Sequence, residues 1–394
     1  MHRITATIPA LLLSACCVDA LAQGQEGVTK DAILLGTSIP LTGPVAPSCS
    51  PVNDGAQAWF KQVNANGGVH GRKIESIVLD DAYKAPEALA NARELVAKQV
   101  LAFFGGCGSI QPAAILPLAQ QNSIPYLYPF AGNPELMTSK VTFALLPTYA
   151  QQYESLVEHL VKKDGGKVRI FAVLSDVPGT PEALAGLTRA ATDSGGEFVG
   201  SAVVPPSATD YTPAALKIKS LRPDYVAINL SGAQSARFFN ALKANDAYPS
   251  KFVIGGPVNL SASFLQPVMD VANNHMVATS MLTPPEDPRS KSCIDAIKKY
   301  YPDLAIDWFS LWGCATAQVT TTALTELGPQ PTRAGLMKLM DGWRDKTASP
   351  LFPPLTFGGA NRLGISSMSY VAIRDGQKMT VEGSFKLLPP PAGR

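Results

Sequence analysis

The sequence predicts an α/β protein of two lobes, each with a parallel-rich sheet, and three observations point to it. Short apolar runs alternate with helical segments along most of the chain, the pattern of βαβ units covered on both faces. The alternation starts at Ala32 and starts again near Thr148. About 370 residues remain after a 22-residue leader, more than one hydrophobic core usually organises.

In the first series, Ala32 to Ser38 reads as a buried strand, Asn53 to Val63 as a helix and Lys73 to Leu79 as a strand. Pro86 to Gln99 reads as a helix with proline in its first turn. A strand at Val100 to Phe104, a helix at Pro112 to Gln121 and a strand at Pro125 to Tyr128 complete it. The second series has helices at Gln151 to Lys162, Pro181 to Asp193, Pro213 to Ser220 and Ser235 to Ala244. Between them fall strands at Val168 to Leu174, Phe198 to Val204, Tyr225 to Leu230 and Phe252 to Ile254. Helices at Lys291 to Tyr300 and Trp308 to Leu327 follow, then extended segments at Ser366 to Arg374 and Gln377 to Phe385 around the turn Asp375-Gly376.

Met1-His2-Arg3 followed by the apolar run Ile4 to Ala15 has the layout of a signal peptide. Ala20-Leu21-Ala22 is the favoured cleavage site. Leu13-Ser14-Ala15-Cys16 competes as a lipobox whose Cys16 would carry a lipid anchor. The expected location is periplasmic. With 46% hydrophobic residues, 16% charged residues and a net charge of +2, the chain can fill two cores but shows no clustered basic surface, so no nucleic-acid partner is expected. Four histidines without metal-ligand spacing predict no metal and no cofactor. Past the leader, Cys49, Cys107, Cys293 and Cys314 form an even set in an exported chain, which points to disulfides with three possible connectivities.

The stretches Ile39-Pro40-Leu41-Thr42-Gly43-Pro44, Val63 to Ile74 (with Asn66-Gly67-Gly68-Val69-His70-Gly71-Arg72), Leu79-Asp80-Asp81 and Phe104-Gly105-Gly106-Cys107-Gly108-Ser109 carry a family resemblance. With Ala92 to Val96, Ile124-Pro125-Tyr126 and Asn133 to Leu136, they resemble the periplasmic leucine/isoleucine/valine-binding proteins, substrate-binding proteins of ABC transporters. The resemblance implies a type I periplasmic binding protein fold, two Rossmann-like lobes joined by three crossovers, with ligand between them. One lobe would combine 28–145 with 279–350, the other 146–278 with 351–394. This layout makes neighbours of Cys49 and Cys107, and of Cys293 and Cys314. It implies a monomer that binds a small molecule, closes by a hinge and delivers it to an inner-membrane ABC permease, without catalysis.

Ligands of open parallel sheets sit beyond the carboxyl ends of the strands, where helix N-termini present free N–H groups. The candidate contacts are therefore Ser48, Gly108, Ser109, Ile110, Phe130, Ala131 and Gly132 from the first lobe, and Tyr149, Asn229, Ser231 and Gly256 from the second. Tyr211 is a further candidate by position, and Tyr128 and Trp308 hint at an aromatic wall. Family members that bind amino acids carry a hydroxyl residue where this chain has Gly132, a tyrosine where it has Pro178 before Gly179, and an acid just after Gly256-Pro257. Without that acid a ligand ammonium group lacks its counter-charge. The implied ligand is an aromatic or aliphatic carboxylate, an amide or an amino-acid-like compound.

Two rival readings differ in class. A ligand-sensing receptor for a membrane signalling partner would use the same lobes. A secreted hydrolase would need Ser109 as nucleophile, but Cys107-Gly108-Ser109-Ile110-Gln111 lacks the glycines of the nucleophile elbow. Asp80-Asp81 with Arg72 and Lys73 reads as a surface strand end rather than an acid–base set.

Overall fold

The computed structural model describes residues 26–374 and 378–388. The leader with Cys16 and the Asp375-Gly376 turn lie outside the described residues. The chain opens with β1 (Ala32–Ile39), α1 (Ala46–Ala65), β2 (Lys73–Asp80), α2 (Ala85–Ala97) and β3 (Ala102–Phe104). Next come α3 (Ile110–Gln121), β4 (Tyr126–Leu127) and β5 (Thr142–Phe143). The second series is α4 (Tyr149–Asp164), β6 (Arg169–Ser175), α5 (Thr180–Asp193), β7 (Glu197–Val204), α6 (Thr212–Leu221) and β8 (Tyr225–Asn229). It continues with α7 (Gly232–Asn245), β9 (Phe252–Gly255), α8 (Ala262–Ala272) and β10 (Met276–Ser280). The chain ends with α9 (Lys291–Tyr300), α10 (Trp308–Leu327), α11 (Arg333–Asp341), β11 (Ser367–Arg374) and β12 (Lys378–Lys386).

The first sheet has the order β2-β1-β3-β4-β5 and is parallel throughout. The second has the order β12-β11-β10-β9-β8-β6-β7, parallel except where β11 joins β10 and β12. The chain crosses from the first sheet to the second after β5, returns after β10 so that α9 and α10 pack on α1, and crosses again before β11. Three crossovers between two sheets match the expected class.

Helix α1 begins at Ala46, not at Asn53, despite Pro47 and Pro51. Pro47 lies in the first turn, where the missing N–H costs nothing. Pro51 lies inside the helix and is tolerated because α1 is clamped along α10. At this crossing a Cβ on Gly55 would meet the Ser310 carbonyl oxygen at 1.9 Å, and one on Gly313 would meet the Val52 carbonyl oxygen at 1.8 Å. Only glycine permits backbones this close.

Disulfides Cys49–Cys107 and Cys293–Cys314, with Cα separations of 5.6 and 5.8 Å, tie α1 to the loop after β3 and α9 to α10. Both pairings agree with the sequence reading. Helices α8 and α11 and strand β5 were not expected: Pro267 interrupts the apolar run of α8, α11 is short, and β5 is two residues long.

Gly313→Ala should lower stability by about 1–3 kcal/mol through overpacking against Val52, despite alanine's better helix propensity. Thermal unfolding with both disulfides intact checks this.

Candidate ligand-binding cleft

A cavity of about 100 Å³ lies between the sheets, several times the space one water molecule needs. Its walls lie at the carboxyl ends of parallel strands and at the helix starts that follow. Gly108 and Ser109 come after β3, Phe130 after β4 and Leu146 after β5; from the second sheet, Ser175 ends β6, Asn229 ends β8 with Leu230 and Ser231 after it, and Gly256 follows β9. Ser48 enters from α1 and Phe309 from α10. Among the described residues lining it, none is acidic, basic or histidine.

The centre of the site is Tyr149, the first residue of α4. Its hydroxyl lies 2.6 Å from Ser109 Oγ, joining the start of α4 to the start of α3. Ser109 is only 2% exposed, and with its hydroxyl turned to Tyr149 it makes no side-chain cap for α3. Burial pushes the Tyr149 phenol up, so the group is a neutral hydroxyl at physiological pH. Its ring packs between two glycines: a Cβ on Gly132 would lie 2.8 Å from the ring, and one on Gly179 would lie 3.1 Å from it. Two of the family departures, at Gly132 and beside Gly179, thus meet at one side chain. Tyr149 occupies the space a residue at 132 would need. Val258, the residue after Gly256-Pro257, lines the cavity where the resemblance implies an acid.

Of the candidate contacts, Ser48, Gly108, Ser109, Phe130, Tyr149, Asn229, Ser231 and Gly256 are brought together around the cavity. Ile110, Ala131 and Gly132 do not line it. Ile110 opens α3 behind Ser109, Ala131 is buried in a separate apolar cluster under α2 and α3, and Gly132 is covered by Tyr149. Tyr211 packs edge-on to Phe238 away from the cavity, Tyr128 is fully buried with its hydroxyl towards Met340 Sδ, and Trp308 donates its Nε1–H to Ser280 Oγ at 2.7 Å. These three aromatics are core.

Several lining residues were not anticipated. Gln234 accepts from the Ser175 hydroxyl at 2.8 Å and from the Ser231 N–H at 3.1 Å. Its signal was present as the capping box Ser231-x-x-Gln234. Gln152 donates to the Pro147 carbonyl at 2.8 Å and accepts from the Thr279 hydroxyl at 3.3 Å. Tyr83 sits at φ +61° after Ala82 at φ +48°, and its ring covers Gly108, where a Cβ would come within 2.5 Å. Nothing in the sequence marks that backbone.

Asp80 and Asp81 hold this loop. Asp80 accepts from the amides of Leu41, Thr42 and Ala82 and from the Thr42 hydroxyl. Asp81, fully buried, accepts from Ser38 Oγ, Gln111 Nε2 and the Tyr83 amide, each at 2.9 Å. Desolvation pushes the Asp80 carboxyl up, but those hydrogen bonds outweigh it and hold the group at about 2. Burial pushes Asp81 up.

A preformed, largely apolar cavity between two sheets, at the carboxyl ends of their strands, is the arrangement of a solute-binding protein. Comparison with known proteins agrees. The chain matches the periplasmic binding protein family over residues 32–378 and belongs to that family. It is 25% identical to the Leu/Ile/Val-binding protein BraC3 of Rhizobium johnstonii over 358 residues, covering 89% of this chain and 94% of that one. A fatty acid ABC transporter substrate-binding protein from Thermomonospora curvata shares its fold at a TM-score of 0.82 and 22% identity, over 95% of this chain and 96% of that one. A solute-binding protein of an ABC transporter from Rhodopseudomonas palustris, in complex with 3,4-dihydroxybenzoic acid, matches at a TM-score of 0.77 and 22% identity, over 92% and 99% of the two chains. Among the described residues, no helix is long and apolar enough to cross a membrane.

Asp80 stabilises the fold fully above the ordinary carboxylate pKa and loses that contribution as pH falls through about 2. The stability difference between wild type and Asp80→Asn should therefore shrink as pH drops from 4 to 2, which thermal unfolding at stepped pH measures. Asp81 is shifted upward chiefly by burial and least by the Asp80 charge, so most of its opposite-sign contribution is common to both proteins.

Proposed function

We propose that this protein captures a small carboxylate lacking an ammonium group, closes its lobes around it and delivers it to an inner-membrane ABC permease, without catalysis. The observation that carries the reading is a cavity with no charged side chain among its described lining residues, faced by the uncapped start of α3. A buried ammonium would have no counter-charge there, at a cost of several kcal/mol. A carboxylate would meet the positive end of α3, which has no side-chain cap, and the hydroxyls of Ser109 and Tyr149. The start of α4 is already served by Glu182, which accepts from the Thr148 hydroxyl and the Ala150 amide, so α3 is the better seat for the anion. Phe130, Phe309, Leu146 and Val258 would cover the apolar body. The Rhodopseudomonas palustris neighbours in complex with 3,4-dihydroxybenzoic acid and benzoate, and the neighbour described as a fatty acid ABC transporter substrate-binding protein, support the reading.

In this reading the lobes are 28–145 with 279–350 and 146–278 with 351–394, the eight candidates that line the cavity are its contact set with Ser109 and Tyr149 at the head group, and the protein acts as a periplasmic monomer. Lipid anchoring through Cys16 is the alternative to release after Ala22. Against a hydrolase, the Ser109 hydroxyl is bonded to a phenol and no histidine is among the described lining residues.

Matched pairs test the ligand class: 3-phenylpropionate against phenylalanine, and 4-methylpentanoate against leucine. At a hundred times its Kd, a ligand should stabilise the fold by about 2.7 kcal/mol in a thermal-shift assay. The acids should bind and their amino-acid partners should not. An amino acid that binds while its deamino partner does not overturns the ligand class and leaves solute binding in place. Tyr149→Phe should weaken the bound acid about tenfold by calorimetry, through loss of a buried hydrogen-bonding hydroxyl.

A further inference from the structure

The lobes touch beside the cavity as well as around it, and one buried carboxylate organises that contact. Asp307, 7% exposed, is the N-cap of α10: its Oδ1 accepts from the amides of Phe309 and Ser310 at 3.0 and 2.9 Å. Its Oδ2 accepts from the Ala262 amide at 2.7 Å. Ala262 is the first residue of α8, on the opposite lobe. One carboxylate therefore serves the N-termini of two helices from two lobes. Beside it, Ser263 Oγ lies 2.8 Å from Ser48 Oγ of α1, a second contact between the lobes.

The Ala262 amide is in the first turn of α8 and has no carbonyl partner within that helix. Asp307 supplies the acceptor only while the lobes are together. Both sides of the bond continue into the cavity wall, through Phe309 on one lobe and Pro257 and Val258 on the other.

We propose that Asp307 is a positioning residue for closure: its bond to the Ala262 amide is a ligand-independent clasp that sets how often the empty protein is closed. The inference rests on the closure reading given above. It assigns Asp307 no contact with ligand.

Two variants attack the bond from opposite lobes in the full-length mature protein. Asp307→Asn keeps one oxygen to cap α10 but can present an amide group, which does not accept, to Ala262. Ala262→Pro removes the donor itself. Proline is favoured at the first position of a helix, and Ser261 before it already has φ −72° and ψ 148°, which proline requires of its predecessor.

The first readout is amide hydrogen exchange resolved at Ala262 in ligand-free protein. Wild type should protect this amide at least tenfold, and Asp307→Asn should abolish that protection while core amides such as Ile228 and the capped amides of Phe309 and Ser310 keep theirs. The second is small-angle scattering of ligand-free protein, in which Ala262→Pro should shift the ensemble towards the open form. Equal protection at Ala262 in wild type and Asp307→Asn, or scattering unchanged by Ala262→Pro, overturns the clasp. A wild type that does not compact with any binding acid from the matched pairs, yet protects Ala262 through Asp307, overturns the closure reading and reduces the bond to a fixed contact between lobes.

Discussion

The site depends on where Tyr149 can put its ring. The residue follows directly on the crossover from the first sheet to the second, so its position fixes how α4 enters the second lobe relative to the strand ends of the first. The ring needs a slot between two backbones, and Gly132 and Gly179 provide it. Once seated, the hydroxyl engages Ser109, and α3 is left without a side-chain cap. Substituting either glycine would displace the ring, break the hydroxyl pair and let Ser109 turn back to cap its own helix. The chemistry of the head-group seat is thus set by two absent side chains rather than by the polar residues alone.

The fold was legible because its signals are local and repeated. Strand runs and helix periods give the βαβ rhythm, and their two series give two sheets. The boundaries that moved did so where tertiary contact overrode propensity. Pro47 and Pro51 argue against a helix at Ala46, yet packing through Gly55 and Gly313 holds one there. The site was legible in its loops and not in its details. Strand ends marked Ser109, Phe130, Asn229, Ser231 and Gly256, because a parallel sheet sends the chain to its ligand edge after every strand. Tyr83 and Gln152 were invisible, since a left-handed backbone at 82–83 and a glutamine reaching Thr279 are consequences of the assembled structure. Ile110, Ala131 and Gly132 were placed in the cleft by loop membership. Whether a loop residue faces the ligand or the core depends on what covers it, and Gly132 is covered by a tyrosine from a later element.

The disulfide Cys49–Cys107 adds a covalent limit to the same geometry. It forms part of the cavity wall and links the helix that carries Ser48 to the loop that carries Gly108 and Ser109. Both contribute polar atoms to the first lobe's half of the site, and the bridge fixes their spacing before a ligand arrives. Preorganisation of this kind reduces the ordering cost paid on binding.

The distribution of charge follows from what closure requires. A carboxylate in the cavity wall would favour cationic ligands. Outside the cavity lining, where Asp307 sits, the proposed clasp favours closure without selecting a ligand. Burial raises the pKa of Asp307, and the three amides its carboxylate accepts from offset part of the cost of keeping it ionised. A hydrogen bond to a charged group contributes about 1.5–3 kcal/mol, whereas moving a protein from 1% to 99% closed takes about 5.5 kcal/mol. The clasp is therefore too weak to close the empty protein against a population of that size and strong enough to bias it. The larger share has to come from contacts that exist only when both lobes touch a ligand, which keeps closure a report of occupancy.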